Sequence, residues 1–421
     1  MRILILSTFD TFGGAAIAAM RLNKALSKAS IKSSMLVDQK KSREANVEGF
    51  SKKWVQKKLA LLRFTLDRFQ FTFFEKSKEY RFQFSQATIG VNIHKHPLIQ
   101  GADIIHMHWI NFGFLSIDSI QKIIDLKKPV VITMHDMWYF TGGCHYSKDC
   151  LNYLYECGHC EPFLKNPAPQ DLSHKNWLQK KELFENTQIT FIACSEWLAV
   201  KARTSSLLKD ARILAIPNPI DTEVFVHSSK KEAQHFFRLS TDKIYILFAA
   251  MKVSDERKGF LYFKQALNIL KSLIAPDQNN IELLIMGQED THDFESIPFK
   301  VNALGRLADV STIAQAYAAA NVFVIPSIED NLPNTVMESL SCGTPVVGFN
   351  TGGIPEMVEH KKTGYIATGK SPEDLAHGIY WTLFESEYEK LCLKSREKVL
   401  TDYAETVVAN KYMQVYNTYL K

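Results

Sequence analysis

Asp330-Asn331-Leu332-Pro333-Asn334-Thr335-Val336-Met337-Glu338, continued by Ser339-Leu340-Ser341-Cys342-Gly343-Thr344-Pro345-Val346-Val347, is the stretch on which the fold turns. An apolar run, Val322–Ile325, precedes it, and a second, Pro345–Val347, closes it. Between them the apolar residues fall at helical spacing, and Pro333 suits a first helical turn. The order is strand, loop, helix, strand, with one carboxylate after the first strand and another inside the helix. In an open parallel sheet, Asp330 and Glu338 then face the carboxyl edge, where such folds bind ligands. A carboxylate there can accept two hydroxyl hydrogen bonds from a ribose. The plainer reading is a charged helix start with solvated acids.

Outward from this stretch the alternation continues. Ile244–Ala249 and Ile281–Met286 read as strands, and helices are expected near 259–274, 309–320, 333–342 and 372–385. Pro217-Asn218-Pro219 punctuates the chain and marks a hinge at about 217–232. Upstream, residues 2–8, Ser34–Val37, Ala102–His106, Val130–Met134, Ile189–Ala193 and Ile213–Ile216 read as strands. Asp10-Thr11-Phe12-Gly13-Gly14 is a tight loop before a helix carrying Ile17, Met20, Leu22 and Leu26, and Ile117–Leu126 is a further helix. Two successive doubly wound, Rossmann-like α/β units follow from this order. Their expected extents are 1–216 and 217–390, with a last helical segment at 391–421.

The chain has 421 residues, 46% of them hydrophobic and 23% charged, enough apolar material for two cores. Lys and Arg number 50 against 45 Asp and Glu, a net +5 too weak to imply a nucleic-acid partner, though it allows a local anion site or a membrane-facing patch. No run of 18 apolar residues occurs, so no span of a bilayer is expected. Met1-Arg2-Ile3-Leu4-Ile5-Leu6 is too short an apolar core for a signal peptide, and a cytoplasmic location is expected.

Two segments stand apart. In 51–85, Trp54, Phe64, Phe69, Phe71, Phe73, Phe74, Tyr80, Phe82 and Phe84 alternate with Lys52, Lys53, Lys57, Lys58, Arg63 and Arg68. This basic aromatic insert, about 51–96, is either an amphipathic helix packed on its own domain or an interfacial segment on anionic lipid. In 144–160, Cys144-x5-Cys150-x6-Cys157-x2-Cys160 holds four of seven cysteines, with His145 and His159 between them. Four thiolates could bind a structural zinc tetrahedrally; reduced packed thiols are the alternative. Gly364-Tyr365-Ile366-Ala367-Thr368-Gly369-Lys370-Ser371 spells a P-loop, but Glu359-His360-Lys361-Lys362-Thr363, not a buried strand, precedes it. Gly-x-Gly-x-x-Gly is absent, which removes the main support for a nicotinamide enzyme.

The stretch 330–338 resembles the E-x7-E region of retaining glycosyltransferases of family 4, which have the GT-B fold. The resemblance extends over most of the chain. Gly13-Gly14-Ala15 is similar to that family's N-terminal glycine loop, and Asp103-Ile104-Ile105-His106-Met107-His108-Trp109 to its D-iih-x-H strand. His135-Asp136, Ser195-Glu196-Trp197-Leu198, Pro217-Asn218-Pro219-Ile220-Asp221-Thr222-Glu223-Val224-Phe225, Lys258-Gly259 and Gly352-Gly353-Ile354-Pro355-Glu356 follow in the family's order. The sequence departs in three places: Pro219 replaces a glycine, Asp330 replaces the first glutamate with Glu329 one residue out of register, and Ala250-Met251-Lys252 stands where the family has Gly-Arg.

The resemblance implies an N-terminal acceptor domain, a C-terminal nucleotide-sugar donor domain, a reaction cleft between them, and 391–421 packing back on the first. It assigns ribose to Glu338, the donor sugar and nearby backbone to Asp330 and Glu356, and the diphosphate to Lys252 and Lys258, with Arg257 as an additional cation. Gly13, Gly14, Asn334 and Thr335 complete the donor set. His135 would hydrogen-bond the donor sugar or reaction centre, with Asp136 a second candidate; catalysis would rest on His135, Asp330 and Lys258. His106 and His108 are read as cleft lining. No Asp-x-Asp pair occurs in the sequence. Cations and helix amides are therefore expected to serve the leaving diphosphate, and no cofactor is expected for catalysis. The expected donor is UDP- or GDP-linked. The acceptor would be a glycan or lipid-linked, as in surface polysaccharide assembly at the inner membrane face. The competing readings are a nucleotide-sugar epimerase of the same fold and a silent sugar-nucleotide binding protein.

Overall fold

The computed structural model describes residues 1–185, 187–252, 255–275, 280–288, 294 and 296–419. They form two compact units, Met1–Pro219 with Val408–Lys421, and Ile220–Val407.

The first unit is built on seven parallel strands: β1 (Arg2–Ser7), β2 (Lys32–Val37), β3 (Val47–Gly49), β4 (Ile104–Met107), β5 (Val130–Met134), β6 (Thr190–Ala193) and β7 (Arg212–Ala215). Their order is β3-β2-β1-β4-β5-β6-β7, so the chain starts mid-sheet, runs to one edge and reverses between β1 and β4. Continuous apolar strands suit a sheet covered on both faces. Side chains alternate across it: Ile3 and Ile5 enter one core with Leu22, Leu26, Tyr412 and Tyr416, whereas Leu4 and Leu6 enter the other with Ile120, Ile123 and Leu198.

The second unit repeats the design with β8 (Ile244–Lys252), β9 (Ile281–Gln288), β10 (Lys300–Gly305), β11 (Val322–Ile325), β12 (Val346–Phe349) and β13 (Gly364–Ala367), ordered β10-β9-β8-β11-β12-β13. Here the reversal lies between β8 and β11. Helices Phe260–Leu273, Val310–Ala319, Asn334–Ser341 and Pro372–Tyr380 connect and cover the strands.

Two details differ from expectation, and one agrees with it. Pro333 caps the helix Asn334–Ser341 from outside, in extended conformation, instead of opening its first turn. As expected of a false P-loop, Gly364 follows no strand; it opens edge strand β13 itself. The segment 391–421 divides. Helix Tyr388–Asp402 belongs to the second unit, where Arg396 donates to the carbonyls of Thr222 (2.8 Å) and Ser341 (2.8 Å). From Val408 onward the chain belongs to the first unit, with Tyr412 and Tyr416 in its core.

Candidate functional site

In the second unit, the loops that leave β8, β11 and β12 converge beside the strand reversal. After β8, Asp255 accepts from the Arg257 amide (3.0 Å) and closes a 3-10 turn at Glu256–Lys258. That turn aims Lys258 Nζ at Asp330 Oδ2, 2.7 Å away, on the loop after β11. Arg257 Nη1 lies 3.5 Å from the same oxygen and donates to the Glu329 carbonyl at 2.8 Å. Asp330 is buried. Burial alone would raise its carboxyl, but the charges of Lys258 and then Arg257 hold it below the ordinary carboxylate range. Arg257 Nη2 also lies 3.8 Å from Asp255 Oδ2, so two cations face two carboxylates at this turn.

The loop after β12 backs this arrangement. Gly352 has φ 57°, and a Cβ there would lie 1.6 Å from the Asp330 carbonyl oxygen, so only glycine lets the two backbones meet. The Gly353 amide donates to that same carbonyl at 3.2 Å. Glu356 follows in the short helix Ile354–Met357, partly exposed, with its carbonyl taking the Tyr403 hydroxyl at 3.3 Å. Asn334 and Thr335 form the partly exposed N-terminal turn of their helix. One turn inward, Glu338 is buried and Oε2 accepts from the Tyr317 hydroxyl at 3.2 Å. Sequence reading missed Tyr317. Its signal is a lone tyrosine in the helix segment Ala314–Ala320, whose other residues are chiefly alanine. For Lys252, at the end of β8, the side chain lies outside the described residues.

The carboxyl edge of the first unit has different chemistry. Gly13 caps the helix that Gly14 begins, with open space where a Cβ would stand. His108, after β4, and His135, after β5, share a hydrogen bond (Nδ1 to Nε2, 2.9 Å), and His135 Nδ1 lies 3.5 Å from Cys194 Sγ. Cys194 in turn donates to Asn218 Oδ1 at 3.1 Å. His106 is buried between the Tyr416 hydroxyl (2.7 Å) and Thr133 Oγ1 (2.7 Å). Burial pulls His135 down to about 4, partly opposed by Asp136, and pulls His106 down to about 3. Both rings are neutral at pH 7. His106 and His108 share one face as expected, their rings 4.4 Å apart, but both are buried instead of lining a cleft: His106 bonds the C-terminal helix, and His108 bonds His135.

Asp136 is spent on structure. Its Oδ2 accepts from His145 Nδ1 (2.7 Å) and Trp109 Nε1 (3.0 Å), and its Oδ1 from the Trp138 amide (2.9 Å). His145 Nε2 lies 2.9 Å from Ser85 Oγ, which completes a Ser-His-Asp chain. Ser85 is 0% exposed, so the chain fixes the residue after His135 and offers no nucleophile. The four clustered cysteines are free and line one small cavity in this unit.

The basic aromatic insert forms a helix, Trp54–Thr72, that does not pack most of its apolar side chains on its own domain, the first of the two readings its composition allowed. Only Ala60, Asp67, Arg68 and Phe71 are buried. The arginines point inward: Arg63 reaches Asp38 (2.8 Å) and the Gly113 carbonyl (3.1 Å), and Arg68 reaches the Phe84 carbonyl (2.9 Å). Trp54, Val55, Leu59, Leu61, Leu62, Leu66 and Phe69 are exposed, Trp54 at 69%.

Comparison with known proteins agrees with this architecture. A family model described as Glycosyltransferase Family 4 matches residues 12–224, and one described as Glycosyl transferases group 1 matches 243–384. An uncharacterized glycosyltransferase of Methanocaldococcus jannaschii is 23% identical over 358 residues, 78% of this chain and 88% of its own. CapM of Staphylococcus aureus, a capsular polysaccharide biosynthesis glycosyltransferase, is 26% identical over 58% of this chain and 65% of its own. Among solved structures, Anabaena HepE in complex with UDP and glucose has a TM-score of 0.64 at 15% identity, covering 99% of each chain.

Proposed function

Starting from a chain that belongs to glycosyltransferase family 4 and is a GT-B glycosyltransferase, we propose that it transfers a sugar from a UDP- or GDP-linked donor, with retention, to a glycan or lipid-linked acceptor in surface polysaccharide synthesis. The observation that carries this reading is the Arg257–Lys258–Asp330 cluster at the strand reversal of the second unit. Leaving of a diphosphate needs positive charge already in place. Asp330 holds both cations in place, and the amides of Asn334 and Thr335 add a helix N-terminus. Glu338 takes the ribose hydroxyls, and Glu356 the donor sugar. His135, as a neutral imidazole, gives up its 3.5 Å contact with Cys194 to hydrogen-bond a sugar hydroxyl. The bond from the anomeric carbon to the phosphate oxygen breaks, the acceptor oxygen bonds that carbon from the same face, and the acceptor proton passes to the leaving phosphate. No divalent ion is assigned to this step. The absence of any Asp-x-Asp pair supports that reading. HepE, solved with UDP and glucose, and CapM, named for capsule biosynthesis, support the donor class and the setting.

The acceptor side is assigned to an anionic membrane surface. No helix among the described residues is long and apolar enough to cross a membrane. The outward face of Trp54–Thr72 carries the exposed apolar side chains above, and Lys52, Lys53, Lys57 and Lys58 flank its start in exposed positions, a pairing that suits a helix lying in a headgroup layer.

A thermal-shift screen of UDP-, GDP- and ADP-sugars tests the donor, since a ligand bound only by the folded state raises its melting point. Transfer measured after chelation tests the mechanism. Full activity is expected; loss that Mg²⁺ or Mn²⁺ restores overturns the metal-independent step. Donor consumed without acceptor would favour an epimerase.

A further inference from the structure

The loop after His135–Asp136 carries chemistry that sugar transfer does not use. Cys144, Cys150, Cys157 and Cys160 line a single cavity of about 20 Å³, walled by Phe84 and Phe163. All four are free thiols, Cys157 and Cys160 buried and the other two partly so. A volume of this size holds one small occupant, for which roughly 10–15 Å³ suffices. Neither histidine of the loop competes for it. His145 is occupied at both ring nitrogens by Asp136 and Ser85, and His159 is exposed.

Burial alone keeps the Cys144, Cys157 and Cys160 thiols protonated, and two further features would favour the thiolate once a metal is bound. The Gly142 amide donates to Cys157 Sγ at 3.1 Å. A Cβ on Gly142 would stand 2.9 Å from Cys157 Cβ and 2.4 Å from the Ser173 carbonyl oxygen, so a glycine is required to bring that amide in. Beside the loop, Lys180 is 0% exposed, its ammonium bonded to the carbonyls of Trp138 and Thr141 (3.0 Å) and 3.8 Å from the Trp138 ring. Among the described residues it makes no ion pair. Both of its hydrogen-bond acceptors are neutral carbonyls, and besides the more distant Asp136 carboxylate a closer anion would favour its charged form.

We propose that Cys144, Cys150, Cys157 and Cys160 bind one structural zinc ion as a tetrathiolate, and that this centre is the counter-charge of Lys180. Four thiols release four protons to solvent, Zn²⁺ joins four thiolates, and no electron is transferred; the centre carries a charge of −2. Among the described residues no three His, Cys, Asp or Glu side chains already form an ion cage. Binding therefore requires the thiols to turn into the cavity that they line. The ion braces the segment that presents His145 to Asp136, and so holds the residue next to His135.

The test is elemental analysis of the full chain purified in reducing buffer with zinc supplied during expression. One zinc per chain is expected, falling to a small fraction in Cys157→Ser/Cys160→Ser and staying at one in Cys392→Ser, where the thiol lies in the second unit. Because the double variant can misfold, two readouts use the unaltered chain. Mercurial titration should release the zinc in step with four thiols. Cobalt exchange should give the intense visible d–d bands of a tetrahedral thiolate site. A chain that folds without metal and shows four titratable thiols overturns the proposal. So does a disulfide within the four, or zinc retained by the double variant.

Discussion

The two sheets expose equivalent edges, the carboxyl ends of parallel strands beside a strand reversal, and fill them with opposite chemistry. In the second unit the edge is ionic: Lys258 and Arg257 lie 2.7 and 3.5 Å from the Asp330 carboxylate. In the first it is a neutral chain of histidines, His108 on His135, with His135 beside a buried thiol. Under the proposed function the difference teaches a division of labour. A departing diphosphate is stabilised by fixed positive charge, whereas sugar hydroxyls are addressed by neutral donors and acceptors that need not pay for ion desolvation.

The sharpest way to break the comparison is Lys258→Ala. Removing the nearer cation should cut turnover by about 10²–10³-fold with a smaller change in KM, because its charge is needed most as the leaving group develops. Lys258→Arg should recover part of the loss. Asp330→Asn tests the other half: it leaves both cations in place without their anchor, and a loss of about tenfold or more in turnover with donor affinity kept would mark anchoring as its role. Equal turnover in Lys258→Ala and the unaltered chain would remove this cluster from the chemistry. A third substitution separates binding from chemistry. Glu338→Gln should weaken donor affinity, measured by calorimetry, by roughly tenfold, the size of one charged hydrogen bond to a hydroxyl.

Much of the ionic edge was legible in the sequence, because its carboxylates and cations sit at strand ends in recognisable order. What was not legible was their pairing: Lys258 and Asp330 are 72 residues apart and meet only because β8 and β11 are sheet neighbours. The neutral edge was less legible. His106 and His108 alternate along one strand, yet their partners, Tyr416 and His135, come from other elements. The missed strands β3, β10 and β13 share a cause: Val-Glu-Gly, Lys-Val-Asn-Ala-Leu-Gly and Gly-Tyr-Ile-Ala have no long apolar run, since edge or short strands are covered on fewer sides. The direction of the insert helix was not legible, because composition says nothing about it. Its arginines found buried carboxylate and carbonyl partners, and its apolar residues were left outside.

The neutral edge makes a pH prediction that the ionic edge does not share. His135 and His106 have folded values near 4 and 3, below an unfolded value of about 6.5. The unfolded chain therefore binds more protons between those limits, so stability is complete above about pH 6.5 and falls as the pH drops toward 4 and then 3. Melting temperature should decline steadily over that window. Tyr416→Phe, which deprives buried His106 of its 2.7 Å partner, should lower stability at pH 7 by about 1–2 kcal/mol.

The smallest expected effect on the fold is also the cleanest test of the outward helix. Leu62 is 50% exposed and Leu61 61% exposed, so replacing both with glutamate should change folding stability by no more than about 0.5 kcal/mol. If the helix lies in a lipid surface, the same change removes apolar area and adds charge of the wrong sign, and cosedimentation with phosphatidylglycerol vesicles should be lost while neutral vesicles bind neither protein. Transfer to a soluble acceptor analogue should be unaffected, since neither edge is touched. Vesicle binding that survives the substitution would assign the exposed apolar face to a protein partner instead, because leucines removed from a lipid contact cannot leave that contact intact.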